Sequence, residues 1–369
     1  MICIGAQMFD YLIVGSGFSG CVLAERLANA ANKRVLVIDK RNHIGGNSYD
    51  YYNNDGILVH KYCPHYFRTN MKHVFDYLSK FTEWNYNYYR IKVSVDGMLL
   101  PLPINLDTVN SLYNFNFTTP QLEEYFKKVQ IDMPDIKNSE EVIISKVGSE
   151  LYEKFYKFYT LKQWGLEPSH LDSSVCARIP VRTNRDDRYF TDKYQAMPKS
   201  GYFKMFQNML RSPNINIMLQ TEYNQLIGNI KTDKIIYTGL IDEFFDYKYG
   251  RLPYRSLRFE HETFNKEYYQ SVSQVNYPYD YDFTRIVEIK HATGQIHPCT
   301  TIVREYSTPD GEPYYPIPNS SNHEMYLKYY EEAAKIKNVF FIGRLAEYKY
   351  LNMDQVVNNA LNLFESRLI

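Results

Sequence analysis

Gly15-Ser16-Gly17-Phe18-Ser19-Gly20 sets the strongest constraint on this 369-residue chain. The pattern is G-x-G-x-x-G, weak in isolation, and its surroundings give it meaning. It comes after the apolar run Phe9–Val14, which reads as a buried parallel strand. It opens Phe18–Asn29, where Val22, Leu23, Leu27 and the neighbouring alanines fall at helical spacing. A second apolar run, Arg34–Asp39, ends in an acid. Strand, helix and strand form one βαβ unit of the dinucleotide-binding kind. Gly15 permits the tight turn, Gly17 lets a pyrophosphate approach the backbone, and Gly20 lets helix and strand pack closely. The helix start at Phe18 and Ser19 offers N–H groups to phosphates, and Asp39 would accept from a ribose hydroxyl. The alternative is a glycine-rich turn in an unrelated α/β protein.

The residues after Asp39 bear on the kind of dinucleotide. Lys40 leads to Gly45, Gly46 and Asn47, and two glycines let a second loop pass close to a bound cofactor. A Gly-Gly pair at this distance resembles FAD proteins of the glutathione-reductase-like and amine-oxidase-like groups, whereas a plain turn is the alternative. Near the other end, Val339–Ile342 reads as a buried strand running into Gly343 and Arg344. In such flavoproteins this segment returns to the flavin; otherwise Arg344 is a surface charge.

Composition narrows the partners. Lys plus Arg and Asp plus Glu both number 42, so the chain lacks the basic excess of a nucleic-acid binder. No run approaches ~18 apolar residues, so no membrane span is expected. No secretory leader is evident, and Met1–Gln7 read as an extension or an upstream start. The five cysteines are odd in number and widely spaced, which fits free thiols in a reducing cytoplasm and no zinc site. The 36 tyrosines reflect compositional habit or a pocket rich in rings and phenols.

The expected architecture is α/β. A Rossmann-like FAD-binding domain comprises residues 8–84, 200–243 and 325–369. A helical substrate domain covers 85–185, including a helix begun by Thr119 as N-cap and Pro120. Residues 186–199 and 244–324 form an antiparallel β-sheet domain, with strands at Arg255–Phe259, Gln270–Tyr277, Thr284–Ile289 and Thr300–Glu305.

Several blocks, taken in order, go further: HIGGNSYD (43–50), YCPHYFRT (62–69), LPINL (102–106), YTLKQWG (159–165), RIPVR (178–182), DDRYF (186–190), YRSL (254–257), FTRI (283–286), PYYPI (313–317) and GRLAEYKYLNMDQ (343–355). Together they resemble the UDP-galactopyranose mutase family over almost the whole chain. The resemblance implies a flavin-dependent isomerase acting in galactofuranose and cell-surface polysaccharide synthesis. N5 of reduced FAD attacks the anomeric carbon of a nucleotide sugar, and pyranose and furanose interconvert with no net redox. It implies that Arg178 and Arg285 clamp the diphosphate, with Arg178 on a mobile loop. Phe155, Tyr156 and Tyr159 stack the base beside Thr160 and Trp164. Tyr189, Tyr315 and Tyr350 are phosphate-binding phenols, and Arg255 joins the substrate set. His65 and Tyr66 contact the flavin, as do Leu351, Asn352, Met353 and Gln355. Arg68 stands near sugar and flavin. A reductant such as NAD(P)H and a homodimer come with the resemblance.

Members specific for UDP-galactose commonly have Gly at the position of Cys63, His at Arg68, Asp at Asn352, Asn at Tyr89 and Lys at Ala177. A relative acting on UDP-N-acetylgalactosamine carries such an Arg, and others act on dTDP-fucose. Two rivals share the first motif: an amine-oxidase-like FAD oxidoreductase, and a non-catalytic scaffold like the Rab GDP-dissociation inhibitors.

Overall fold

A computed structural model describes residues 9–62, 64–228 and 230–368. The 1–8 stretch, with Cys3, and Cys63 lie outside them. Phe9–Val14, Phe18–Asn29 and Val35–Asp39 form the expected βαβ unit. These strands are nearly continuous in apolar side chains because both faces of their sheet are covered. The sheet is parallel and five-stranded, in the spatial order Ile215–Leu219, Val35–Asp39, Phe9–Val14, Thr232–Tyr237, Val339–Phe341. Helix Met353–Leu363 packs against helix Phe18–Asn29.

A second, seven-stranded sheet runs Tyr315–Pro316, Tyr254–Phe264, Thr300–Thr308, Arg285–Val287, Gln274–Asn276, Ile91–Val95, Met98–Leu102. Its pairs are antiparallel except that Gln274–Asn276 lies parallel to Ile91–Val95. Here the structure corrects the expected helical stretch from residue 85. Residues 91–102 are a β-hairpin turned by Asp96 and Gly97, both at positive φ (50° and 74°). An Asp-Gly pair favours this two-residue turn because it tolerates the left-handed backbone that strand twist demands. Within the expected helical stretch, the helices begin only at Leu106. Tyr194–Pro198 also departs from expectation. It pairs with Phe67–Thr69 and Trp84–Tyr86 in a separate three-stranded sheet, not with the larger one.

Two local details matter for the site. The helix starting at Thr119 is capped by Thr118, whose N–H and hydroxyl lie 2.8 and 2.9 Å from the Gln121 side-chain oxygen. Gln121 stands three residues after Thr118, and that spacing overrides the Thr119 assignment. Further along, the helical path from Ser139 to Trp164 passes through a π-helical turn at Glu153–Lys157. Such turns often mark functional stretches, and this one carries Phe155 and Tyr156.

Candidate active site

The N-terminus of helix Phe18–Asn29 shapes the first cavity. Its N-cap, Gly17, provides no side-chain cap, and no acid occupies the first turn. Its leading N–H groups and the positive end of its dipole therefore serve an anion. A Cβ on Gly46 would lie 2.9 Å from Gly17 Cα, so the two glycine loops touch backbone to backbone. A Cβ on Gly343 would meet Ser19 Oγ at 2.8 Å, bringing the late strand's end against the same helix. Asp39 is buried at the strand end. Its Oδ2 accepts from Ser16 N at 2.8 Å and Ser16 Oγ at 2.6 Å, and its Oδ1 from Arg41 N at 2.9 Å.

Gly15, Gly17, Phe18, Ser19, Asp39, Lys40, Gly45, Gly46, Asn47, His65, Gly343, Arg344, Leu351 and Met353 line this cavity. The shape and donors fit a dinucleotide: a capless helix start, glycines at the close approach, and an acid at the strand end. Four expected contacts lie elsewhere. Gly20 is behind the wall, where a Cβ would fall 1.9 Å from Gly15 O; it is needed for packing. Gln355 turns back to accept from Asn352 N at 2.9 Å, completing a capping box. Tyr66 and Asn352 line the neighbouring cavity instead. Sequence reading missed Thr238, Glu312 and Pro313 in the lining. Glu312 Oε2 accepts from Arg41 Nη2 at 2.7 Å, and Lys40 is 3.5 Å from its other oxygen. A lone acid in a loop carries no signal of such a pairing.

The second cavity meets the first at His65, Arg344 and Met353, which line both. Its walls come from distant segments. The helical wall supplies Phe155, Tyr156, Tyr159, Thr160 and Trp164; the sheet supplies Arg285 and Tyr315; connecting segments bring Arg178, Tyr189 and Tyr350. Arg68 lines it too. Among the described residues, four guanidiniums line this cavity, those of Arg68, Arg178, Arg285 and Arg344, and no carboxylate does.

Each guanidinium is held. Arg178 Nη1 donates to Tyr350 Oη at 2.8 Å and lies 4.9 Å from the centre of that ring. Arg344 sits over the same ring at 5.1 Å and donates through Nη2 to Leu351 O at 2.6 Å. Arg285 Nη2 donates to the buried Glu305 carboxylate at 2.8 Å. Arg68 Nη1 donates to Asp192 at 2.8 Å, with Phe190 beneath the guanidinium at 4.4 Å. Burial alone would raise the Tyr350 phenol. Arg178, joined by Arg344 and Arg285, overrides it and holds that phenol below its usual value. At Tyr189 burial wins and the phenol is raised, although Arg178 and Arg285 oppose the shift.

Arg255 is not in this cavity. Its Nη2 and Nε donate to Ser307 Oγ at 2.8 and 3.2 Å, and it fills the space beside Gly165. A Cβ on Gly165 would fall 2.7 Å from Arg255 Nη1. Ser307 in turn donates to the Gln163 carbonyl, so Arg255 braces the end of helix Phe158–Trp164. Gln163, Tyr89, Phe190, Gln274 and Asn276 are lining residues outside the expected set. Gln274 and Asn276 alternate as buried polar positions on one strand, joined at 2.7 Å. That alternation was the available signal.

A dinucleotide cleft opening into a guanidinium-walled cavity defines an enzyme that pairs a nucleotide cofactor with an anionic substrate. Comparison with known proteins makes this specific. A family model described as UDP-galactopyranose mutase matches residues 154–350, and an NAD(P)-binding Rossmann-like model matches 13–81. A probable UDP-galactopyranose mutase of Klebsiella pneumoniae is 39% identical over 95% of this chain and 93% of its own. A dTDP-fucopyranose mutase of Escherichia coli is 37% identical over 96% and 97%. In shape, a crystal structure of reduced UDP-galactopyranose mutase matches with a TM-score of 0.78, 14% identity and coverage of 98% and 95%. A putative protoporphyrinogen oxidase from Exiguobacterium sp. reaches 0.66 at 12% identity over 98% of each chain, so shape alone does not separate mutase from oxidase. The sequence relatives do: this chain belongs to the UDP-galactopyranose mutase family. It is a flavin-dependent isomerase, and its cofactor is FAD. Among the described residues no helix is long and apolar enough to cross a membrane.

Proposed function

We propose that this protein interconverts the pyranose and furanose forms of a nucleotide-diphosphate sugar of the UDP-galactose type. The observation that carries the reading is the second cavity, cationic and free of carboxylates among the described residues, sharing a wall with the dinucleotide cavity. The residues lining the first cavity would hold FAD, which when reduced would supply an electron-rich N5 as a nucleophile for the anomeric carbon, with no net redox. Arg178 and Arg285 take up the charge of the departing diphosphate, since guanidinium forks match phosphate oxygens. Tyr189, Tyr315 and Tyr350 orient the same group. Tyr159, with Phe155 and Tyr156, stacks the base, which Thr160 and Trp164 flank. His65 stands at the common wall, where cofactor and sugar meet. Arg68, tied to Asp192, presents its remaining donors to the sugar substituents.

The reading brings with it NAD(P)H as reductant, a cytoplasmic setting and a homodimer, each supported by the family resemblance. Cys21, Cys176 and Cys299 are free thiols, which suits a reducing compartment. The test is a chromatographic or NMR assay of dithionite-reduced enzyme with UDP-galactose, UDP-N-acetylgalactosamine and dTDP-fucose. Furanose product should form only with reduced enzyme, with no acceptor consumed. Sustained turnover by oxidised enzyme with stoichiometric oxygen uptake would mean an oxidase instead.

A further inference from the structure

Behind His65 lies a buried carboxylate and imidazole that the proposed reaction does not use. Asp50 and His60 face one another across the two-stranded ribbon of Asp50–Tyr52 and Leu58–His60. They are 1% and 2% exposed. Asp50 accepts from Tyr202 N at 2.6 Å and Phe203 N at 2.7 Å, at the start of helix Tyr202–Met209. Its Oδ2 stands 3.9 Å from His60 Nε2. On the far side of the ring, His60 Nδ1 lies 3.0 Å from the His65 backbone nitrogen. The Tyr202 ring meets the His60 ring edge-on at 5.7 Å, and His261 Nε2 is 3.2 Å from His60 O.

This geometry fixes the imidazole's chemistry. The His65 N–H can only donate, so His60 Nδ1 must offer a lone pair. Its proton then resides on Nε2, facing Asp50. A doubly protonated ring would have no lone pair for His65. The Asp50 carboxylate favours the Nε2–H tautomer, and that tautomer holds the His65 peptide. Burial pushes the Asp50 carboxyl up to about 6, with the Phe203 and Tyr202 amides opposing the rise.

We propose that Asp50 and His60 are a positioning pair. They set the backbone of the loop carrying His65, and so aim His65 at the wall where the two cavities join. The inference rests on the flavin-mutase reading, because that reading makes this wall the place where cofactor and sugar meet. Neither residue lines either cavity, so both act through His65.

The test combines backbone amide exchange of the 60–66 segment in FAD-loaded protein with steady-state kinetics. In His60→Ala, exchange of the His65 amide should quicken about tenfold, the loss of roughly one hydrogen bond. The kcat should fall about tenfold, while KM for the nucleotide sugar and the FAD content hold. His60→Gln, whose carbonyl can accept from His65 N–H, should restore amide protection and most of kcat. His60→Met fills the space without that acceptor and should behave like His60→Ala. Two outcomes overturn the pair's role: wild-type His65 protection and kcat in His60→Ala, or loss of FAD and fold in all three variants alike. If the wild type isomerises no nucleotide sugar, the mutase reading fails, and the exchange comparison still reports on the pair.

Discussion

The two cavities are built by opposite means. The first is built from backbone: a capless helix start, glycine loops in contact, and one buried acid. Its lining mixes Asp39, Glu222, Glu243 and Glu312 with Lys40, Arg41 and Arg344. The second is built from side chains, and among the described residues its lining carries four guanidiniums and no acid. Backbone recognition depends on shape, so it fails when a Cβ intrudes. Side-chain recognition depends on charge, so it fails when a partner is removed. Substitutions should therefore separate cofactor retention from substrate turnover.

The largest effect should come from Arg285→Ala. It removes the proposed diphosphate clamp and the cation that Arg285 gives the buried Glu305. A loss of about 3–5 kcal/mol in kcat/KM is expected, with FAD still bound. Wild-type kinetics would remove Arg285 from the mechanism. Gly46→Val strikes the other cavity. Gly46 has φ of 55° and has backbone where the new Cβ must go. FAD affinity should drop by about 2–4 kcal/mol, while UDP still binds in titration calorimetry. Loss of both together would break the proposed division between the cavities.

Tyr350→Phe should weaken UDP binding by about 1 kcal/mol, one hydrogen bond's worth. It should also flatten a pH dependence. The phenol is held below its ordinary value by the guanidiniums, so it ionises earlier on the alkaline side. As pH rises through that point, a phenolate faces the diphosphate and wild-type affinity falls; the Phe variant should lack this step. The smallest effect belongs to Glu312→Gln. Its ion pair with Arg41 is partly exposed, so FAD should dissociate only a few-fold faster, equivalent to less than about 1 kcal/mol. That gap between the variants should narrow as salt is added.

Legibility divides along the same line. The βαβ unit could be read from local pattern because its elements lie next to one another in sequence. The strand Phe9–Val14 begins and ends as the apolar pattern predicts. The second cavity gathers residues from positions 64 to 353, and no local spacing announces that Arg178 will meet Tyr350. Resemblance supplied those residues. Physics alone offers a prior that a lone arginine is a surface charge. Where the sequence misleads, a competing contact has won. Arg255 is taken by Ser307 and the space at Gly165, and Gln355 by its own helix cap. The Asp96-Gly97 hairpin is visible as a turn signal between alternating apolar residues, but the helical segments beyond it dominate the pattern of the region.

The parallel sheet under the cofactor has a consequence for assembly. Phe9–Val14 leaves the ribosome well before its neighbour Thr232–Tyr237 and the bordering Val339–Phe341 are made. Until they arrive, one flank of that strand has no partner for its amides. Such long-range pairing delays folding and exposes a strand edge to association. FAD loading therefore waits for Val339–Phe341, and a nascent chain stalled before residue 339 should be a client for chaperones rather than a yellow protein.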